Sequence, residues 1–251
     1  MRLLIDADIV AFTAAAKSEQ VIDWGDDLFT LSSDLRQAIG HVQCALADIV
    51  MDASQGAPVT PVMCFSDDLN WRKIENPTYK WNRKGTRKPI CYGPLVAWMD
   101  AHMAVLRMPH LEADDVMGIE ATRNPDSTIV CTIDKDLLTV PGMNYNWDKD
   151  IRPKLVSVGE ANRFFYTQCL MGDSTDGYPG LKGCGPVAAK KILATADSED
   201  EVDLWSRVVS AYEKKGFDYD FCLSQARMAR ICHVDDWDSE TRKMVWTPPE
   251  I

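Results

Sequence analysis

Zinc-type ligand spacing is missing from this 251-residue chain. Its eight cysteines (Cys44, Cys64, Cys91, Cys131, Cys169, Cys184, Cys222 and Cys232) stand singly, with no CxxC pair and no His-Cys cluster. This spacing argues against a zinc site or a disulfide framework and fits a reduced, cytoplasmic setting. Histidine is scarce: His41, His102, His110 and His233 lie in neither an HExxH nor a nucleophile-elbow context, and no Walker loop is present. No apolar run approaches bilayer length, which leaves no membrane partner to expect. The N-terminus, MRLLIDADIVAF, carries charge at its sixth residue and no small-residue cleavage pattern, so export is not expected. Repeats and low-complexity tracts are absent too.

Net positive charge is also lacking. A formal charge of −11 would ordinarily argue against a phosphate-rich partner, because binding nucleic acid rests on Lys and Arg releasing counterions. The average hides an asymmetry. Between Trp71 and Cys91 the cations Arg72, Lys73, Lys80, Arg83, Lys84, Arg87 and Lys88 face the single acid Glu75. A basic strip on an acidic body suits a molecule that grips a phosphate backbone and holds metals with carboxylates.

The pattern along the chain predicts alternating strands and helices. Arg2 to Ile5 reads as a buried strand, Asp6 to Ala16 as a helix, and Val21 to Leu31 as a hairpin turning at Trp24-Gly25-Asp26. Ser33 or Asp34 caps a one-sided amphipathic helix to about Ala53, and a second strand spans Val59 to Phe65. Pro94 to Met108 and Ala113 to Thr122 read as helices, and Ser127 to Ile133 as a β-branched buried strand. Such alternation predicts an α/β fold, a mainly parallel twisted sheet flanked by helices, with sites at the carboxyl ends of its strands. From Val158 onward helices dominate, interrupted by a glycine-rich stretch. The expected organisation is therefore an α/β core over residues 1–158, with a basic segment at 71–91, and a helical region over residues 159–251.

What the sequence does have is acid at the strand ends. Asp6 closes the first strand, Asp67 follows the second, and Asp134 closes TIVCTID with Asp136 two residues on. Glu112, Asp114 and Asp115 stand where a helix begins, a place that favours acids for the helix dipole alone. Carboxylates gathered on one edge repel one another and raise each other's pKa unless cations neutralise them. Hard oxygen ligands without His or Cys favour Mg²⁺ or Mn²⁺, and a pair of such ions suits phosphodiester hydrolysis. Trp71, Tyr79 and Trp81 interleave with the cations of the basic strip, as bases stacking on aromatic faces would require. In Gly172 to Leu193, the glycines Gly180, Gly183 and Gly185 permit tight turning, Pro186 suits a first helical position, and Lys190 with Lys191 follows. A helix N-terminus so presented can take a DNA phosphate without reading sequence.

Five motifs, LLIDAD (3–8), FSDDLNWRKIENPTYKWNRKGTRKP (65–89), LEADD (111–115), TIDKD (132–136) and GDSTDGYPGLKGCGPVAAKKIL (172–193), resemble in order those of the flap endonuclease family. The likeness is greatest to stand-alone phage 5′-exonucleases and to the 5′-nuclease domains of bacterial polymerases. It implies a PIN-like 5′-nuclease core and a helix-hairpin-helix (helix-three-turn-helix) DNA-binding motif in the helical region. It implies a first metal site drawn from Asp6, Asp67, Glu112, Asp114, Asp134 and Asp136, with Asp115, Asp173 and Asp176 supporting a second. Two Mg²⁺ are expected, Mn²⁺ substituting, with K⁺ at the glycine hairpin. By the same likeness Lys80 and Arg83 reach the scissile phosphate from the base of an arch at 71–91, while Arg72, Tyr79 and Lys84 contact the strand. The expected partner is DNA with 5′ ends, flaps or nicks, RNA–DNA hybrids included, bound by a monomer in the bacterial host's cytoplasm. The chain departs from the family pattern at Ala7, where many cellular relatives have glycine, and at Asp8, which has no counterpart there. Two other readings compete: a PIN-type ribonuclease, which shares the acidic edge, and a non-catalytic branched-DNA-binding protein.

Overall fold

The computed structural model describes residues 1–196 and 200–251. The first strand, β1 (Arg2–Asp6), buries Leu3, Leu4 and Ile5 completely, as a strand covered on both faces must. Asp6 then turns the chain: its side chain accepts the Ile9 N–H and caps α1 (Ala7–Lys17). A hairpin follows, β2 (Glu19–Asp23) against β3 (Phe29–Ser33), and Asp34 caps α2 (Leu35–Ser54) through the Arg36 N–H. β4 (Thr60–Cys64) leads into the basic strip, which holds the short helix α3 (Trp71–Glu75) and a single 3₁₀ turn at Trp81–Arg83.

After the strip come α4 (Tyr92–His102), β5 (Val105–Leu106), α5 (Ala113–Arg123), β6 (Thr128–Cys131), β7 (Gly142–Tyr145) and β8 (Lys154–Val156). The helix expected over Pro94 to Met108 is therefore shorter at its end. Met103 is extended (φ −126°, ψ 162°), and Val105 and Leu106 pair with Met63 and Cys64 as an edge strand. The remainder is helical: α6 (Val158–Met171), α7 (Pro186–Leu193), α8 (Glu201–Glu213) and α9 (Tyr219–Ala229), then a two-residue ribbon of β9 (Trp237–Asp238) and β10 (Lys243–Met244).

Six strands form one sheet in the order β5-β4-β1-β6-β7-β8, parallel except for β8. The chain builds outward from β1 to β4 and β5 on one side, then crosses to β6 and β7 on the other. β1 is thus the point where strand order reverses, the position at which α/β sheets open a crevice beyond their carboxyl ends. Alternation along each strand divides the interior. Leu3, Ile5, Met63, Phe65, Ile129 and Cys131 pack with α1, α2 and α4. Leu4, Val62, Cys64 and Val130 pack with α5 and with Phe165, Tyr166, Trp205 and Tyr212 of the later helices. The helical layer thus shares an apolar core with the sheet.

The loop between α6 and α7 depends on two glycines placed back to back. Gly172 (φ +68°) and Gly180 (φ +62°) both lie in the left-handed region, and a Cβ on Gly180 would fall 2.3 Å from the Gly172 nitrogen. Gly183 (φ +77°) shares the conformation but has nothing within 4 Å of such an atom. Gly180→Ala combines left-handed strain with a backbone clash and is expected to cost about 3 kcal/mol. Gly183→Ala carries the strain alone and should cost about 1 kcal/mol. Thermal unfolding of the two variants checks this; equal losses would refute the packing role of Gly180.

Candidate active site

At the carboxyl ends of β1 and β6 lies a cleft of about 280 Å³ walled by Asp6, Asp8, Glu112, Asp114, Asp134, Asp136, Asp173 and Asp176, with Lys80 and Arg83 beside them. Each acid arrives by a different local device. Asp6 caps α1. Asp134 lies beyond the end of β6 and caps the 3₁₀ turn Lys135–Thr139 by accepting the Asp136 N–H at 2.9 Å. Glu112 and Asp114 sit at the start of α5, whose dipole favours them. Asp173 accepts the Thr175 N–H at 2.7 Å in the loop after α6.

The electrostatics show an unbalanced cluster. Burial, reinforced by Asp8 and opposed by a hydrogen bond from Thr132, pushes Asp6 up to about 7. Burial, then Asp6 and Asp134, raises Asp114 well above the carboxylate range. Burial and Asp134 raise Asp136, and burial raises Asp176 despite Lys80. Glu112 goes the other way: burial would raise it, but Lys80 and Arg72 outweigh that and hold it at about 2. Lys80 Nζ stands 2.7 Å from Glu112 and 3.6 Å from Asp176, and Arg83 is 3.3 Å from Asp176. Lys80 itself has φ +51°, a left-handed conformation uncommon outside glycine and concentrated at functional sites.

Thus Asp6, Asp114 and Asp134 form no ion pair among the described residues, Asp136 is met by Lys135 at 3.2 Å, and carboxylate oxygens are the ligand type that a hard divalent cation takes. Among the described residues, no group of three or more His, Cys, Asp or Glu side chains is placed, as it stands, to hold a metal ion.

Two residues of the site, Thr132 and Gln168, were not indicated by sequence, and a third, Asp8, stood out there only as a departure from the family pattern. Thr132 links the acids, donating its hydroxyl to Asp6 (2.9 Å) and accepting the Asp134 N–H (3.0 Å). Gln168 of α6 donates to Asp136 at 2.7 Å. Asp8 lines the cleft while accepting the Ser66 N–H at 3.1 Å; its place in the first turn after a strand-end acid was the available signal.

Five expected residues are placed differently. Asp67 does not reach the acidic cleft; it lines a neighbouring chamber and accepts the His110 N–H at 2.7 Å. Asp115 is fully buried and spent on a bidentate pair with Arg72 (2.7 and 2.8 Å), so it is not available to a metal. Arg72 is itself buried, and Tyr79 is buried with its hydroxyl on Glu112 (2.9 Å). Neither can contact a strand. Trp71 is buried as well, which leaves Trp81 as the exposed aromatic of the strip.

Lys84 is exposed on the strip, and Lys190 and Lys191 are exposed on α7. Gly185 is the N-cap of that helix and is exposed like Gly183, whereas Gly180 is buried against Gly172. The base of the strip is strapped to the loop after α6: the Lys80 N–H donates to the Asp176 carbonyl at 2.8 Å and Asn82 to the Thr175 carbonyl at 3.1 Å. No helix is long and apolar enough to cross a membrane among the described residues.

No family model matches the chain. It is 26% identical to the exodeoxyribonuclease of Enterobacteria phage T3, over 98% of this chain and 92% of that one. It is 27% identical to the exonuclease of Escherichia phage T7, over 98% and 93%. To the flap endonuclease Xni of Shewanella baltica (strain OS185) it is 31% identical, over 51% of this chain and 54% of that one. In fold it resembles the T5 D15 protein co-crystallised with metal ions, with a TM-score of 0.57 at 12% identity, covering 92% of this chain and 85% of that one. The catalytic core of Rad2 in complex with DNA substrate gives a TM-score of 0.55 at 15% identity, covering 99% and 83%.

Proposed function

The chain belongs to the flap endonuclease and 5′-3′ exonuclease superfamily, and we propose from this that it hydrolyses DNA phosphodiester bonds at or near 5′ ends, with divalent metal ions, in phage DNA replication, primer removal or recombination. The observation that carries the reading is the under-neutralised acidic cleft at the sheet's switch point with Lys80 and Arg83 on its rim. Asp6, Asp114, Asp134 and Asp136 would hold one ion, and Glu112, Asp173 and Asp176 would support a second. Two Mg²⁺, Mn²⁺ substituting, would contribute Lewis-acid stabilisation to the phosphate oxygens under attack.

The protein's own part is charge and position. Lys80 and Arg83 now face Glu112 and Asp176; in the proposed complex they turn their N–H donors to the oxygens on which negative charge develops. Thr132 holds Asp6 and the turn at Asp134 in fixed relation. Duplex phosphates are assigned to the glycine hairpin, where α6, a tight loop and α7 make a helix-hairpin-helix unit with Lys190 and Lys191, and K⁺ belongs to the same proposal. Lys84 and Trp81 guide the unpaired strand. The partner is nicked, flapped or free-ended DNA, hybrids with RNA included, and the protein acts as a monomer.

A 5′-labelled flap and a matched nicked duplex, incubated with Mg²⁺ and with chelator, test this. Short 5′ products that vanish with chelator are expected. Binding without cutting would favour a non-catalytic DNA-binding protein, and cutting of RNA in preference to DNA a PIN-type ribonuclease.

A further inference from the structure

The acidic cleft does not end at Lys80 and Arg83. A second chamber of about 560 Å³ continues from it, sharing Asp8, Ser66, Lys80, Arg83 and Glu112 as a common wall. Its volume falls within the roughly 300–1,000 Å³ usual for small-ligand sites. Its other side is built differently, around Lys88, Arg107 and Tyr92.

Most of the chamber's acids are already engaged. Asp67 takes the His110 N–H, Asp100 takes Nη1 of Arg107 at 2.5 Å, Glu112 takes Lys80 and Arg72, and Asp8 takes Ser66 and Tyr92. Asp68 lies exposed on the rim. Lys88 has no carboxylate partner among the described residues and lies 4.7 Å over the Tyr92 ring. Arg107 lies 4.5 Å over the Phe65 ring, and Nε and Nη2 of its guanidinium have no partner among the described residues. Two cations with donors to spare, each lying over an aromatic ring, in a chamber of one-nucleotide dimensions form an anion site one step beyond the acids.

We propose that this chamber holds the terminal nucleotide on the 5′ side of the scissile bond, its 5′-phosphate taken by Lys88 and Arg107. The inference rests on the nuclease function above and specifies its substrate: a 5′-phosphorylated end, released as a single nucleotide.

The test compares nicked duplexes that differ only in a 5′-phosphate or 5′-hydroxyl at the nick, with the full chain in Mg²⁺. Wild type is expected to prefer the phosphate about tenfold in kcat/KM, and Lys88→Gln with Arg107→Gln to bring that ratio close to 1. The ratio is internal to each protein, so a general loss of rate does not imitate the effect. A second readout needs no cleavage: calorimetric titration in chelator should show dTMP binding tighter than thymidine, with the difference lost in the double variant. A ratio near 1 in wild type, or an unchanged ratio in the variant, would overturn the proposal while leaving the nuclease function standing. If wild type cuts neither end, the nuclease function fails, and the dTMP titration still decides whether the chamber is a phosphate subsite.

Discussion

Alanine at Asp134 is expected to lower Mg²⁺-dependent cleavage roughly 10³-fold, about 4 kcal/mol of transition-state stabilisation, while leaving the protein folded. The argument is one of position. Asp134 borders the cleft with Asp6 and Asp114, and it contributes to the raised pKa of both. An acid that makes its neighbours harder to ionise does not stabilise the fold through that contact. Its local structural task is one hydrogen bond, from the Asp136 N–H, and losing such a cap costs about 1 kcal/mol. Relief of repulsion with Asp6 and Asp114 offsets part of that. The melting temperature should therefore move by no more than about 4 °C for a chain of this size. Single-turnover cleavage and a melting curve on the same preparation decide the matter. Full activity in the variant removes Asp134 from the metal site; a collapse of the melting curve shows that its role is structural.

The parts of this arrangement legible in the sequence follow from short-range periodicity. β1, β4 and β6 are apolar runs that end in or just before acids, so a parallel sheet with an acidic carboxyl edge could be read from spacing alone. The placing of Asp6 and Asp134 at that edge needed nothing more; their assignment to a metal site came only with the family resemblance. β5 did not declare itself, because two residues on a sheet edge carry too little pattern to separate from the end of a helix. Asp67 was misplaced for a related reason. β4 stops at Cys64, and the irregular backbone that follows turns the acid to the His110 N–H. Asp8, two residues beyond the β1 acid, lines the acidic cleft instead.

Arg72, Tyr79 and Asp115 failed differently. A cation in a basic strip and an acid at a helix start look the same whether they face a ligand or each other. Only tertiary contact, across 43 residues from Arg72 to Asp115, tells the two apart. The strip as a whole is therefore a mixture. Its first part, with Trp71, Arg72 and Tyr79 inward, anchors it, and its second, from Trp81 to Lys88, faces solvent. That division explains how a segment so basic can stand beside a cleft so acidic. The buried members neutralise Asp115 and Glu112; of the outer cations Arg83 faces Asp176 and Arg87 is held by Glu19 at 2.6 Å, which leaves Lys84 and Lys88 without a carboxylate partner among the described residues.

Asp115→Ala is expected to cost about 3–5 kcal/mol of stability, because it removes the bidentate partner of a buried arginine and leaves it to share Glu112 with Lys80. Both oxygens of Asp115 are used. Oδ2 takes Nη1 of Arg72 at 2.7 Å and the Trp71 indole at 3.3 Å, and Oδ1 takes Nη2 at 2.8 Å and the Cys232 N–H at 3.1 Å. Arg72 also donates to the carbonyls of Met228 and Arg230, so one ion pair joins the base of the strip, α5 and the segment after α9. At 2–4 °C for each kcal/mol, the melting temperature should fall by roughly 10 °C. Replacing both partners, Arg72→Met with Asp115→Leu, removes the buried charge and should recover part of the loss relative to Asp115→Ala. A metal ligand would behave in the opposite way: cleavage would vanish, the melting curve would hardly move, and the double substitution would restore nothing. Melting and cleavage measured on wild type, the single and the double variant therefore separate an acid that supports the site from one that belongs to it.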